Sequence, residues 1–87
     1  MRIHKYPIGK EPGEYAICDA FDELLGVSLD PSGQPCLYAI VNPGLLPKQT
    51  VSVFVVWTGQ EMSPDIRGRY LSTLQVGGLM YHYFAGP

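Results

Sequence analysis

Val51-Ser52-Val53-Phe54-Val55-Val56-Trp57-Thr58-Gly59 is the longest run of β-branched and aromatic residues in the chain; it carries no charge and ends at a glycine. Neither of its alternating faces is consistently polar, so it predicts a strand covered on both sides. Turn-forming residues punctuate the chain on either side of it. Downstream, Ser63-Pro64-Asp65 offers a serine N-cap, a proline at the first helical position and an acid in the first turn, but Gly68 comes too soon for more than one turn of helix. Residues 70–76 then alternate as a strand, Gly77-Gly78 turns, and residues 79–84 pair back as a hairpin. Upstream, Asn42-Pro43-Gly44 closes a strand over 36–41. Asp30-Pro31-Ser32-Gly33 joins that strand to one over 24–29, with aspartate first, proline second and glycine fourth as a type I turn requires. Residues 14–21 read as a further strand, with Tyr15, Ile17 and Asp19 on one face and Ala16 and Cys18 on the other; the acidic pair Asp22-Glu23 ends it. Before the turn at 9–13, residues 2–8 form a strand at a sheet edge, because Pro7 cannot donate to a ladder.

These elements predict an all-β fold: a single domain over residues 1–87, built as a small sandwich or partly open barrel of about seven short antiparallel strands, with at most one short helical turn near 63–68. In a domain of this size the core covers one face of a sheet more readily than two. The 51–59 strand therefore predicts an oligomer: Val51, Val53, Val55 and Trp57 face the core while Phe54 and Val56 meet another subunit, or the reverse.

Composition points the same way. The chain has 87 residues, 46% of them hydrophobic and 16% charged, where soluble domains carry about 25% charged residues. A chain this short buries only about 60–65% of the surface its unfolded form exposes, and much apolar surface with few charges implies a partner, foremost another copy. The net charge of −2 argues against general attraction to duplex nucleic acid. No apolar run approaches the length of about 18 residues that suggests a membrane span. No apolar segment follows Met1, so the expectation is a cytoplasmic protein with reduced thiols. Cys18 and Cys36 each alternate with apolar neighbours and read as buried, inert thiols.

Catalytic patterns are weak. Gly26-Val27-Ser28-Leu29-Asp30 lacks the second glycine of a nucleophile elbow. His4, Cys18, Cys36 and His82 lie on four separate strands without metal-site spacing, and no phosphate loop is present. Asp19, Asp22 and Glu23 read as an exposed acidic loop. The expectation is a protein that is not an enzyme and holds neither cofactor nor metal. Two groupings stand out. In Arg67-Gly68-Arg69-Tyr70, two guanidiniums and a ring can grip a phosphate and stack on a base. In Tyr81-His82-Tyr83-Phe84, the two tyrosines share one strand face and His82 shares the other with Phe84. His4, Tyr6 and Trp57 complete the candidate binding set.

Ile3-His4-Lys5-Tyr6, Gly33-x-Pro35-Cys36-Leu37, Val41-Asn42-Pro43, Thr58-Gly59, Tyr70-Leu71-x-Thr73, Gly78 and His82-x-Phe84 follow one another along most of the chain. In that order they resemble a family of short phage and prophage proteins known mainly as a domain of unknown function. The chain departs from that pattern at Asn42, where the family often has an acid, and at Tyr38, where it often has tryptophan. The resemblance implies an accessory protein that acts by binding in the host cytoplasm, countering a host defence. The ligand expected is a small anionic nucleotide-type signal, sequestered without catalysis. The alternatives are an inhibitor that binds a host defence protein through apolar and acidic surface, and a small virion-associated β protein.

Overall fold

The computed structural model describes residues 1–64, 66 and 68–86. The strand-forming runs between the turns become β1 (Arg2–Pro7), β2 (Gly13–Asp19), β3 (Phe21–Leu29), β4 (Pro35–Val41), β5 (Gln49–Trp57), β6 (Arg69–Val76) and β7 (Leu79–Gly86), and no helix occurs among the described residues. They form two antiparallel sheets, ordered β1-β4-β3 and β2-β5-β7-β6, which stack as a sandwich and are not closed into a barrel. At the expected helix start a single turn forms, with Ile66 N–H donating to the Ser63 carbonyl at 3.0 Å.

The turn chemistry of residues 30–33 acts as predicted. Gly33 N–H donates to the Asp30 carbonyl at 2.9 Å, and Gly33 takes φ of 84°, a left-handed conformation that suits glycine. Asp30 then organises the turn through its side chain. Its carboxylate accepts from the Ser32 hydroxyl (2.6 Å), Ser32 N–H (2.9 Å) and Gln34 N–H (3.0 Å), and Lys5 Nζ donates to it from β1 at 3.1 Å. The Ser32 hydroxyl foremost, then Gln34 N–H, hold this carboxyl well below the usual carboxylate range. A carboxyl whose folded-state pKa lies below its unfolded value of about 4 stabilises the fold above that pH, and the contribution is lost as pH falls toward the folded value. Asp30→Asn keeps an acceptor and removes the titration. Its Tm is expected to lie below that of the parent at neutral pH, with the gap closing as pH drops below about 4; a gap independent of pH would refute this role.

Two expectations are corrected. The chain breaks at Ala20, not at Asp22-Glu23, which lie inside β3. Asp19 turns its carboxylate back onto Ala20 N–H (2.7 Å) and the Ala20 carbonyl accepts from Asn42 N–H (2.9 Å), so the chain changes sheets at this buried alanine. A register shift between Phe21 and Glu23 then absorbs the acids. Cys36 is buried, but Cys18 is exposed, because it lies on the outward side of the edge strand β2.

The core lies between the sheets. Val27, Leu37, Val53, Val55, Tyr81 and Tyr83 meet there with Ile8, and Phe21, Ala39 and Val41 form a second cluster toward one end. Tyr83 is fully buried, and its hydroxyl is the buried side-chain polar atom without a hydrogen-bond partner among the described residues. Burial first, then Tyr81 and Tyr15, push this phenol up to about 12. An unmet buried hydroxyl costs stability, so Tyr83→Phe is expected to be neutral or to stabilise by up to about 1 kcal/mol. Denaturant midpoints check this, and a clear loss would show that the hydroxyl has a partner.

The sandwich closes differently on its two long sides. On one, β3 and β6 approach, and Val27 N–H donates to the Ser72 hydroxyl at 2.8 Å. On the other, the Tyr6 hydroxyl reaches from β1 to Asp19 at the end of β2, at 2.5 Å. Burial foremost, then this bond, raises the Tyr6 phenol well above its ordinary range.

β5 is covered on both faces, as its composition requires, but by its own chain. Val53 and Val55 lie in the core with Trp57 and Val51 packed against it. Val56, on the other face, is only 4% exposed. β5 and β6 both run antiparallel to β7, so they are parallel to each other and need a connection that returns along the sheet. β5 ends opposite Tyr81 and β6 begins opposite Ala85. Gln60, Glu61, Ser63 and Ile66 of the connection flank Phe54 and Val56, so the described part of the connection, residues 58–64 and 66, lies over the outer face of the four-stranded sheet. This segment occupies the place where a second subunit was expected against Val56.

Candidate functional site

The outer face of the four-stranded sheet follows from the registers. One row across it runs Glu14, Phe54, Phe84, Tyr70, and the next runs Val56, His82, Thr73. Phe84 and Tyr70 meet edge to face, with ring centroids 5.8 Å apart and planes at 68°, a favourable aromatic geometry. Tyr70 is 56% exposed, which leaves much of its ring available for stacking. Gly86 makes room for this row, since a Cβ there would lie 2.7 Å from the Phe54 ring.

A β-bulge creates the polar part of the site. The register shifts between Tyr70 and Ser72, so Tyr70 and Thr73, three residues apart, both face outward. The Tyr70 and Thr73 hydroxyls lie 2.7 Å apart, Thr73 Oγ1 is 3.0 Å from His82 Nδ1, and Thr58 Oγ1 is 2.6 Å from His82 Nε2. Four side chains from three successive segments thus form one continuous relay. A neutral imidazole donates from one nitrogen and accepts at the other, and the threonine hydroxyls can complement either tautomer. Both ring nitrogens meet hydroxyls among the described residues, so the arrangement is a fixed hydrogen-bonding surface.

Beside the relay a groove of about 270 Å³ is lined by Val56, Trp57, Thr58, Gln60, Met62, His82 and Phe84. A larger groove of about 540 Å³ adjoins it at Val56 and Gln60 and continues between the crossing segment and Glu14, Phe54 and Ile66. The crossing segment is anchored at its start. Trp57 N–H donates to the Gln60 side-chain oxygen at 3.0 Å, and Gln60 N–H donates back to the Trp57 carbonyl at 3.0 Å.

The predicted binding residues divide among three places. Tyr70 and His82 come together in the relay. Arg69 is exposed at the start of β6, but it pairs with the inward-facing Ala85 while Tyr70 pairs with Phe84, so the two leave the strand on opposite faces. Arg67 lies outside the described residues. Trp57 points inward, edge to face with Tyr81 at 5.9 Å, and its indole N–H donates to the Lys10 carbonyl at 2.9 Å. His4 and Tyr6 belong to the other sheet, where His4 Nδ1 lies 3.8 Å from the Asp19 carboxylate that Tyr6 also holds. Thr58 and Thr73 were not anticipated. In sequence they are ordinary strand formers, and only the pairing of Thr73 with His82 exposes their role.

The chain belongs to a family described as a domain of unknown function (DUF7352), whose model matches residues 1–87. No curated protein and no solved structure matches it.

Proposed function

We propose that this protein is a non-catalytic binding protein for a small anionic molecule of nucleotide type, held on the outer face of the four-stranded sheet. The observation that carries this reading is the Tyr70–Phe84 ring pair set beside the Thr58–His82–Thr73–Tyr70 relay. Exposed aromatic rings on a sheet stack on bases, at about 1–3 kcal/mol per base, while hydroxyls and imidazole meet hydrogen-bonding edges. Arg69, exposed at the start of β6, leaves the strand on the opposite face from Tyr70 and lies outside this surface. The phage resemblance of the sequence motifs gives the reading its setting, an accessory protein that lowers the free concentration of a host defence signal.

The competing reading, inhibition of a host protein through the acids of 19–30, has less surface to draw on. Asp19 is engaged by Tyr6 and Ala20 N–H, and Asp30 by Ser32, Gln34 and Lys5. Calorimetric titration with linear and cyclic nucleotides decides between them. At least one nucleotide is expected to bind, with Tyr70→Ala weakening it by about tenfold or more, which corresponds to about 1.4 kcal/mol. Silence across the panel would refute the proposal.

A further inference from the structure

Four strands end a sheet in this fold: β1 and β3 in one, β2 and β6 in the other. A sheet edge offers unpaired N–H and C=O groups at alternate residues, and proteins blunt such edges with bulges, prolines, lysines or a covering element. Three of the four edges carry these devices. β3 and β6 are both bulged and lie against each other, with Val27 N–H captured by Ser72. β1 ends in Pro7 and carries Arg2 and Lys5.

β2 carries none of them. Its seven residues, Gly-Glu-Tyr-Ala-Ile-Cys-Asp, hold no proline and no basic side chain, and they stay in register with β5 from end to end without a bulge. Its two acids are engaged within the chain, Glu14 by the Ser52 hydroxyl at 2.5 Å and Asp19 by Tyr6. Ala16 and Cys18 are exposed on its outer side, and Tyr15 and Ile17 are half-buried on its inner side at the rim of the core.

We propose that β2 is the contact edge of a homodimer, in which it pairs antiparallel with β2 of a second copy about a two-fold axis through Ala16. The two four-stranded sheets then join into one of eight. The strand is complementary to itself in this register. Tyr15 faces the partner's Ile17 and extends the apolar rim of each core across the axis. Glu14 faces the partner's Cys18 and Asp19 faces the partner's Gly13, so no like charges oppose each other, an arrangement that would destabilise the pair. Centring the axis on Ile17 instead would set Asp19 against the partner's Tyr15 on the inner side. A second copy is the occupant because an isologous contact needs a self-complementary surface, and this edge has one. The inference does not depend on any ligand.

Native mass spectrometry of the full chain at micromolar concentration tests it. The expected mass is twice the 9.6 kDa of one chain. Ala16→Lys puts two ammonium groups opposite each other at the axis and is expected to return the mass to a single chain while leaving the circular dichroism of the folded protein in place, since Ala16 is exposed, with Tm losing only the concentration-dependent part that dimerisation adds. Cα atoms opposed across an antiparallel pair lie about 4.5–5.5 Å apart, within disulfide range. Ala16→Cys in a Cys18→Ser background is therefore expected to cross-link between chains on mild oxidation, whereas Ile3→Cys in the same background is not. This pair decides the matter if Ala16→Lys fails to fold. A single-chain mass for the parent protein, a dimer that survives Ala16→Lys, or the absence of cross-linking at position 16 would each overturn the proposal.

Discussion

Gly68→Ala is expected to destabilise the protein severely, by about 3 kcal/mol or more, which for a domain of this size lowers Tm by about 12–24 °C. A Cβ at position 68 would lie 1.7 Å from the Ala85 carbonyl oxygen and 2.5 Å from its carbon. These are backbone atoms of β7, so no rotamer change relieves the collision, and β6 would have to move off the sheet. Gly59 provides the control at the other end of the same segment. It has φ of 85°, and a Cβ there would meet nothing within 4 Å, so Gly59→Ala costs only the local strain of a left-handed residue, about 1–2 kcal/mol. Thermal melts of the two variants separate close approach from backbone conformation. If Gly68→Ala melts with the parent protein, β6 does not start against β7 as described.

Leu37→Ala is the second large effect. Leu37 is fully buried in the middle of β4, the central strand of the three-stranded sheet, beside Val27 of β3, and shares the core with Val53, Val55 and Tyr83 of the facing sheet. Removing a buried leucine side chain costs about 2–5 kcal/mol, because the lost transfer energy is joined by the cavity left behind. Small domains hold only about 5 kcal/mol at the low end of the ordinary range, so this one substitution is expected to bring the chain close to unfolding at room temperature. Ile3→Ala, in the same sheet but 63% exposed, is expected to change stability by no more than about 0.5 kcal/mol. Urea titrations of both give the contrast directly. Similar losses for the two would mean that the core does not lie between the sheets.

These effects trace what could be read in the chain and what could not. The two hairpins were legible because their turns are written in local chemistry: Asp30 and Gly33 set one, and Gly77, with φ of 61°, the other. The faces of β2 and β7 were legible because side chains alternate along a strand. The change of sheet at Ala20 was not, since alanine carries no turn signal and the break depends on Asn42, a residue distant in sequence. The cover over Val56 was half legible. The apolar composition of residues 51–59 required something on both faces, but what covers the outer face follows from β7 separating β5 from β6, a long-range pairing with no local signature. The site shows the same division. His82 and Phe84 could be placed on one face by alternation, whereas the bulge that brings Tyr70 and Thr73 to that face has no marker in the run Arg69-Tyr70-Leu71-Ser72-Thr73.

The crossing segment also explains why grooves lie on this face. A sheet face covered by irregular chain keeps gaps that a packed second sheet would fill, and here the gaps form two connected grooves floored by Phe54, Val56 and Phe84. The relay borders these grooves, so a ligand there can use apolar floor and hydroxyl edge together, the combination common in small-molecule sites.

The central claim, that this face is the binding surface, is tested most directly by amide chemical-shift mapping of the labelled protein during titration with the nucleotide panel. The account predicts perturbations confined to Thr58, Gln60, Tyr70, Thr73, His82 and their neighbours on β5, β6 and β7, lost in the Tyr70→Ala variant. Shifts clustered instead on β1, β3 and β4, or none from any nucleotide, would contradict it.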